Sequence, residues 1–250
     1  MTKDSTQRFS NKVQDYIKYR PDYPPEVLTY LCKKTGLSET STVADIGAGT
    51  GIFTRHLLNL GCKVYAIEPN TEMREAADTM LKKAYPNYIS INAPANNTTL
   101  KDHSIDLIVC AQAFHWFNTQ EARAEFQRIL KPKAQATLIW NNRQVNTDNF
   151  SKDYDQLLRE KTADYNEVNH QKLSPDDFKA FFKEGKYEKM IFPSYQEFDE
   201  AGFLGRANSS SYVPSADAVF QQLLKDIFQR HQVNGMVKFH YDTEVYTGEV

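Results

Sequence analysis

The sequence predicts an α/β fold, a mostly parallel sheet wound with helices on both faces. Three observations carry this. Short apolar, β-branched runs alternate with amphipathic helical segments through the first 145 residues, the pattern of βαβ units and a parallel sheet. Ile105 to Ala111 (IDLIVCA) is apolar almost throughout, as in a strand buried on both faces. Glycine is scarce, ten in 250 residues, yet Gly47, Gly49 and Gly51 fall together where a strand-like run meets a helical one.

Taken in order, Glu26 to Lys34 is helical behind Pro24-Pro25, since proline is favoured at helix starts. Thr42 to Ile46 is the first strand. Thr50 to Leu60 places Ile52, Phe53, His56, Leu57 and Leu60 at helical spacing and stops at Gly61. Lys63 to Ile67 is a second strand, Thr71 to Lys83 a helix capped by Thr71, and Tyr88 to Asn92 a third strand. Ile105 to Ala111 follows, then a helix from Gln120 to Leu130 and a fifth strand from Ala136 to Trp140. After Asn141 the rhythm changes. Asp148 to Val168 and Pro175 to Lys183 are polar helical stretches, and Pro214 to Gln232 is a helix with one apolar face. Tyr187 to Phe198 and Met236 to Tyr246 alternate as strands, which brings the sheet to seven. The expected organisation is one domain, 1–250. An N-terminal helical lid spans 1–36 and a cofactor-binding core 37–145. A helical insertion over the active site follows at 146–186, and 187–250 completes the sheet.

Composition excludes several classes. With 40% hydrophobic and 25% charged residues the chain is ordinary globular protein, not a disordered one. A net charge of −2, with no basic run interleaved with aromatics, gives no footprint for nucleic acid. Three cysteines, far apart, suit reduced buried thiols. The six histidines form no ligand-spaced pair, so no metal is expected. The polar first residues lack a signal-peptide core, and no apolar run is long enough to span a bilayer. These features predict a soluble cytoplasmic protein without a membrane partner.

The glycine corner carries the chemistry. Val43-Ala44-Asp45-Ile46-Gly47-Ala48-Gly49-Thr50-Gly51 joins a strand to a helix, where glycine permits a tight turn and lets a ligand approach bare backbone. A dinucleotide loop is G-x-G-x-x-G and seats a pyrophosphate on the helix end. Here the spacing is one residue tighter, and Asp45 stands two residues before the first glycine. A carboxylate there repels a pyrophosphate and suits an ammonium or sulfonium. About twenty residues further on, Glu68 ends the second strand, where an acid can accept the hydroxyls of a ribose.

On these residues the chain resembles the class I S-adenosylmethionine-dependent methyltransferases. VADIGAGTG is similar to the family's first motif, and Glu68 in VYAIEP to its ribose-binding acid. Further stretches resemble the type 11, trans-aconitate methyltransferase-like branch: Tyr16-x-x-Tyr19-Arg20-Pro21-x-Tyr23-Pro24, Ala111-Gln112-Ala113-Phe114-His115-Trp116-Phe117, Ile139-Trp140-Asn141-Asn142-Arg143, Gly205-Arg206 and Ser209 to Tyr212. The resemblance implies a Rossmann-like, doubly wound sheet whose last strand is antiparallel, with N-terminal and inserted helices as a lid. It implies S-adenosyl-L-methionine as cofactor. Asp45, Gly47, Gly49 and Gly51 would line its methionine end, and Glu68 its ribose. Pro69, Met73, Ala95 and Asn96 would meet the adenine. Ala111 and Gln112 would offer backbone contacts, while Tyr16 and Arg20 would close over the site. Pro94 departs from the acidic or hydroxyl residue usual in the family and leaves Asn96 as the adenine-edge candidate. Pro132-Lys133-Ala134 stands where the family has Pro-Gly-Gly.

For the acceptor, His115 is the candidate catalytic base, and His115 and Trp116 lie at the carboxyl end of a buried strand, where open sheets bind ligands. Arg143, Arg206 and Tyr212 are candidate substrate contacts, with arginine suited to a bidentate carboxylate. The expected activity is methyl transfer to a small molecule, a carboxylate by preference, in a monomer or homodimer. A non-catalytic cofactor-binding protein and an NAD(P)-dependent oxidoreductase are the alternatives. The second lacks the dinucleotide glycine spacing.

Overall fold

In the computed structural model, residues 17–162, 165 and 173–250 are described. Eight helices of seven residues or more are labelled α1 to α8, and seven strands β1 to β7. In chain order they are α1 (Pro25–Thr35), β1 (Thr42–Ile46), α2 (Ile52–Asn59), β2 (Lys63–Ile67), α3 (Thr71–Leu81), β3 (Tyr88–Ile91), β4 (Ile105–Ala111), α4 (Gln120–Ile129) and β5 (Leu130–Arg143), followed by α5 (Asn149–Lys161), α6 (Pro175–Phe181), β6 (Glu188–Phe198), α7 (Glu200–Asn208), α8 (Ala218–His231) and β7 (Val237–Gly248).

The strands form one sheet in the order β3-β2-β1-β4-β5-β7-β6. Strands β1 to β5 pair in parallel, and β7 runs antiparallel to both β5 and β6. The expected mostly parallel, seven-stranded sheet with an antiparallel last strand is therefore observed. The strand order reverses between β1 and β4, and the crevice at such a reversal is where open α/β sheets take ligands.

Period-two alternation makes two cores. Ile108 and Cys110 of β4 face one layer and Leu107 and Val109 the other, all fully buried. Val27 and Leu31 of α1, Phe53 and Leu57 of α2, and Ala77 and Leu81 of α3 cover one face. Phe126 and Ile129 of α4 and Phe178 and Phe181 of α6 cover the other. A third cluster joins Phe150 and Tyr154 of α5, Phe203 of α7, Leu224 of α8, and Phe239 and Tyr241 of β7.

Several local expectations are corrected. Asn70, not Thr71, caps α3: its Oδ1 accepts the Met73 N–H at 2.8 Å, and Asn is preferred over Thr at this position. The late helix begins at Ala218, because Asp217 caps it by accepting from Val219 and Phe220. Strand β5 begins at Leu130, through Pro132 and Lys133. Lys133 holds φ +65°, a conformation glycine adopts freely and other residues under strain. α7 is not among the expected elements, because Gly202 and Gly205 blur its period.

The segments expected as lid and insertion are packed differently. α1 lies within the core, with Val27 and Leu31 fully buried. The stretch 146–186 is divided: α5 joins the third cluster, whereas Phe178 of α6 stacks on Tyr246 of β7 at 4.2 Å. All three cysteines are free thiols. Among the described residues no helix is long and apolar enough to cross a membrane, and no cluster of three or more His, Cys, Asp or Glu could hold a metal.

Candidate cofactor site at the strand reversal

A cavity of about 320 Å³ opens at the carboxyl ends of β1, β2 and β4. Its walls include Asp45, Gly47, Gly49, Glu68, Pro69, Met73, Ala95, Asn96, Ala111, Gln112 and Trp116. These come from four separate stretches of sequence, and parallel pairing brings them together. Asp45 lies beside Ala66 on β2 and Val109 on β4, so the first strand delivers the turn between its two neighbours.

The turn is shaped by close approach. Gly47 has φ +73°, and a Cβ there would stand 2.4 Å from the Ala113 Cβ. Its N–H donates to the Ile67 carbonyl at 2.9 Å, and that of Ala48 to the same oxygen at 3.1 Å. Gly49, at φ +57°, has nothing within 4 Å of its would-be Cβ. The first glycine lets two loops touch, and the second leaves backbone bare at the cavity wall. Gly51 caps α2 and packs against Leu81. It lines a neighbouring depression together with Arg20, not this cavity.

The electrostatics are acidic. Asp45 is only 1% exposed. Its Oδ2 accepts the Thr54 hydroxyl at 2.6 Å, while its Oδ1 has no hydrogen-bond partner among the described residues. Burial pushes its carboxyl up to about 7, and the charge of Glu68 adds to the rise. Burial also raises Glu68, against the lowering effect of backbone N–H groups from Asn70 and Gly49, each at 2.8 Å. Among the described residues, none that lines it is Lys, Arg or His. A pyrophosphate would meet two carboxylates and no cation here. A cationic ligand would give the buried Asp45 oxygen its missing partner. The residues present therefore fit a sulfonium amino acid joined to a nucleoside.

Gln112 closes the crevice from the β4 side. Its backbone sits at φ +59°, held by its N–H donating to the Ile139 carbonyl at 2.8 Å. Beyond it, Phe114–Trp116 make one 3₁₀ turn that carries Trp116 to the cavity wall. His115 is not among the lining residues. Its Nδ1 accepts from Trp140 Nε1 at 3.3 Å, and its ring lies 4.7 Å from that of Trp116. The sequence did not single out Tyr23, Phe53, Asn70 or Phe117 as cavity lining, nor Thr54 as the partner of Asp45. Thr54 lies in the first turn of α2, where no local pattern marks it.

Arg20 donates to the Ser209 carbonyl at 3.1 Å. Arg143, Arg206 and Tyr212 are grouped elsewhere, at the β7 side of the sheet, and do not line this cavity. Tyr16 lies outside the described residues.

Comparison with known proteins agrees with this geometry. Residues 44–138 match the family model described as a methyltransferase domain. That match covers less than half of the 250 residues, and within it the chain is similar to methyltransferase domains. An uncharacterized methyltransferase of Schizosaccharomyces pombe is 38% identical over 136 residues, which cover 54% of this chain and 53% of that protein. One from Mycobacterium bovis is 34% identical over 141 residues, 56% of this chain and 55% of that protein. The chain thus spans about half the length of the curated relatives it matches. Among solved structures, a proposed type II methyltransferase from Anaeromyxobacter dehalogenans shares the fold with TM-score 0.66 and 19% identity, over 92% of this chain and 98% of that one. A phosphoethanolamine N-methyltransferase of Haemonchus contortus, solved with S-adenosylhomocysteine, shares it with TM-score 0.58 and 12% identity, over 99% of this chain and 59% of that one.

Proposed function

We propose that the protein transfers a methyl group from S-adenosylmethionine to a small-molecule acceptor, preferentially a carboxylate oxygen. The observation that carries this is the acidic cavity without a basic side chain, in which the buried Asp45 Oδ1 lacks a partner beside bare glycine backbone.

In this reading Asp45, Gly47 and Gly49 hold the amino-acid end of the cofactor, and Glu68 its ribose. Pro69 and Met73 flank the adenine, Ala95 and Asn96 meet its edge, and Ala111 and Gln112 contribute backbone. Gly51 shapes the turn from behind, while Tyr16 and Arg20 belong to the segment that closes the site. Bound there, S-adenosylmethionine supplies an activated methyl that passes in line to the acceptor oxygen, the S–CH3 electron pair returning to sulfur to leave S-adenosylhomocysteine and an ester. The chain then has only to align the acceptor and exclude water. Tyr23, Phe117 and Trp116 supply apolar wall for that purpose. A carboxylate is already a nucleophile, so the reaction needs no base. We assign His115 the job of orienting Trp116, consistent with its place behind the wall. The net charge of −2 argues for a small molecule over nucleic acid, and three free thiols suit the reducing cytoplasm.

The test is release of S-adenosylhomocysteine over a panel of small acids, phenols and amines, with calorimetry against S-adenosylmethionine and NAD. Release with acids supports the proposal. Binding of S-adenosylmethionine with no release across the panel would make this a cofactor-binding protein without turnover. Binding of NAD instead would return the oxidoreductase reading.

A further inference from the structure

Two arginines near the carboxyl end of β5 are buried, and among the described residues the carboxylates beside them do not balance their charge. Arg143 ends β5 and pairs across the ladder with Tyr241 of β7. Arg206, near the end of α7, is 8% exposed. It donates from Nε to Tyr241 Oη at 3.2 Å and from Nη1 to Ser210 Oγ at 3.3 Å. Both guanidinium carbons lie 6.0 Å from the centre of the Phe239 ring. Arg143 also lies 4.8 Å over Tyr154. The two cations therefore share one aromatic platform.

The anions nearby do not match them. Among the described residues no carboxylate pairs with Arg206. Arg143 donates to Asp155 at 3.1 Å and to Tyr165 Oη at 2.9 Å, but Arg159 claims the same carboxylate at 2.6 Å. The Nη1 of Arg143 is buried and has no hydrogen-bond partner among the described residues. The other polar groups close by are phenols: Tyr154, Tyr165, Tyr212 and Tyr241. Burial drives Tyr154 and Tyr165 far above the ordinary phenol range, so they supply no negative charge. A guanidinium cannot shed its proton in a protein, and a buried charge is normally paired. Arg143 and Arg159 share one carboxylate, and among the described residues Arg206 has none.

The cluster adjoins the cofactor cavity through the chain itself. Asn141, two residues before Arg143, donates to the carbonyls of Pro21 and Asp22. Arg20 donates to the Ser209 carbonyl beside Arg206 and Ser210. The next residue along that segment past Asp22, Tyr23, lines the cavity. The segment 20–23 thus touches both places.

We propose that Arg143 and Arg206 bind an oxyanion of the methyl acceptor, a carboxylate in the first instance, and that this group is an anchor and not the methylated one. The proposal rests on the methyltransferase reading above. A carboxylate engaged by two guanidiniums has its lone pairs occupied and its charge neutralised, which makes it a poor nucleophile. Its ester would also lose the charge that the arginines require. The acceptor is then an acid with a second nucleophilic group, such as another carboxylate, placed to reach the cofactor.

The experiment uses the whole protein loaded with S-adenosylhomocysteine and titrated calorimetrically with succinate, inorganic phosphate and neutral succinamide. We expect succinate to bind and succinamide not to. R143Q and R206Q should each weaken succinate about tenfold or more, with S-adenosylhomocysteine affinity unchanged within about twofold. R206K keeps the charge but loses the fork, and should fall between. Succinate should also raise the wild-type melting temperature, a readout that needs no variant. Phosphate binding in place of succinate would keep the oxyanion site but overturn its assignment to a carboxylate. Equal binding of succinamide, no binding of either anion, or succinate affinity untouched in both glutamine variants would overturn the proposal. Failure of S-adenosylhomocysteine to bind would instead fall on the cofactor reading.

Discussion

The Glu68 carboxylate accepts the backbone N–H of Gly49 at 2.8 Å, so the acid that ends β2 also fastens the glycine turn that follows β1. Its second oxygen accepts the Asn70 N–H at the entry to α3, also at 2.8 Å. E68Q would turn an amide NH2 toward one of these two donors. We expect it to weaken S-adenosylmethionine by about ten- to hundredfold, the scale of a lost bond to a charged group. The melting temperature should drop as well, because the loss falls on the turn as much as on the ribose. Calorimetry and thermal melts on the same samples check this. An affinity loss with an unchanged melt would confine Glu68 to the ligand.

With Asp45 at the cationic end of the cofactor, as proposed above, binding should depend on pH. Its carboxyl, ordinarily near 3.8, is pushed up to about 7 by burial and by Glu68. The folded protein holds that proton more tightly than the unfolded chain does. Stability without cofactor should therefore fall as pH rises from about 3.8 to about 7. An ammonium ligand requires the ionised form, so S-adenosylmethionine affinity should weaken about tenfold for each pH unit below 7. D45N should bind weakly with a flat profile and melt higher than wild type at pH 8. A wild-type affinity independent of pH from 5 to 8 would remove Asp45 from contact with the cation.

The two cavity glycines differ in kind, and alanine should separate them. G47A adds a Cβ that would stand 2.4 Å from another, on top of the strain at φ +73°. Urea unfolding should show a loss of about 3 kcal/mol or more. G49A meets nothing within 4 Å and should lose only about 1–2 kcal/mol for its left-handed backbone. Its larger effect should be on cofactor affinity.

His115 offers a clean distinction between chemistry and positioning. A general base contributes about a hundred- to ten-thousandfold in rate. H115Q should lower kcat less than about tenfold with a carboxylate acceptor, and the pH profile of kcat should keep its shape. Loss of the profile's acidic limb would reinstate His115 as a base.

Much of the cofactor half could be read from local sequence, because its signals are local. The glycine spacing, Asp45 and Glu68 lie at strand ends, and a parallel sheet brings strand ends to one edge. The second half resisted for the opposite reason. Arg143 and Arg206 look like surface arginines in sequence. Their burial depends on Phe239 of β7 and on α7, a helix whose glycines hide its period. The cap of α3 was misplaced by one residue because Asn70 and Thr71 both have capping side chains. His115 sat where ligands bind in such sheets, but a 3₁₀ turn gave the wall to Trp116.

Asn141 grips the segment before Tyr23 by the carbonyls of Pro21 and Asp22. Every residue has that oxygen, so the grip is indifferent to which side chains the segment carries. Substitutions at positions 21 and 22 leave these two carbonyls in place, although one at Asp22 would also remove its side-chain bonds to Arg55 and His56. A change at Asn141, remote in sequence from both positions, would release it whatever they carry.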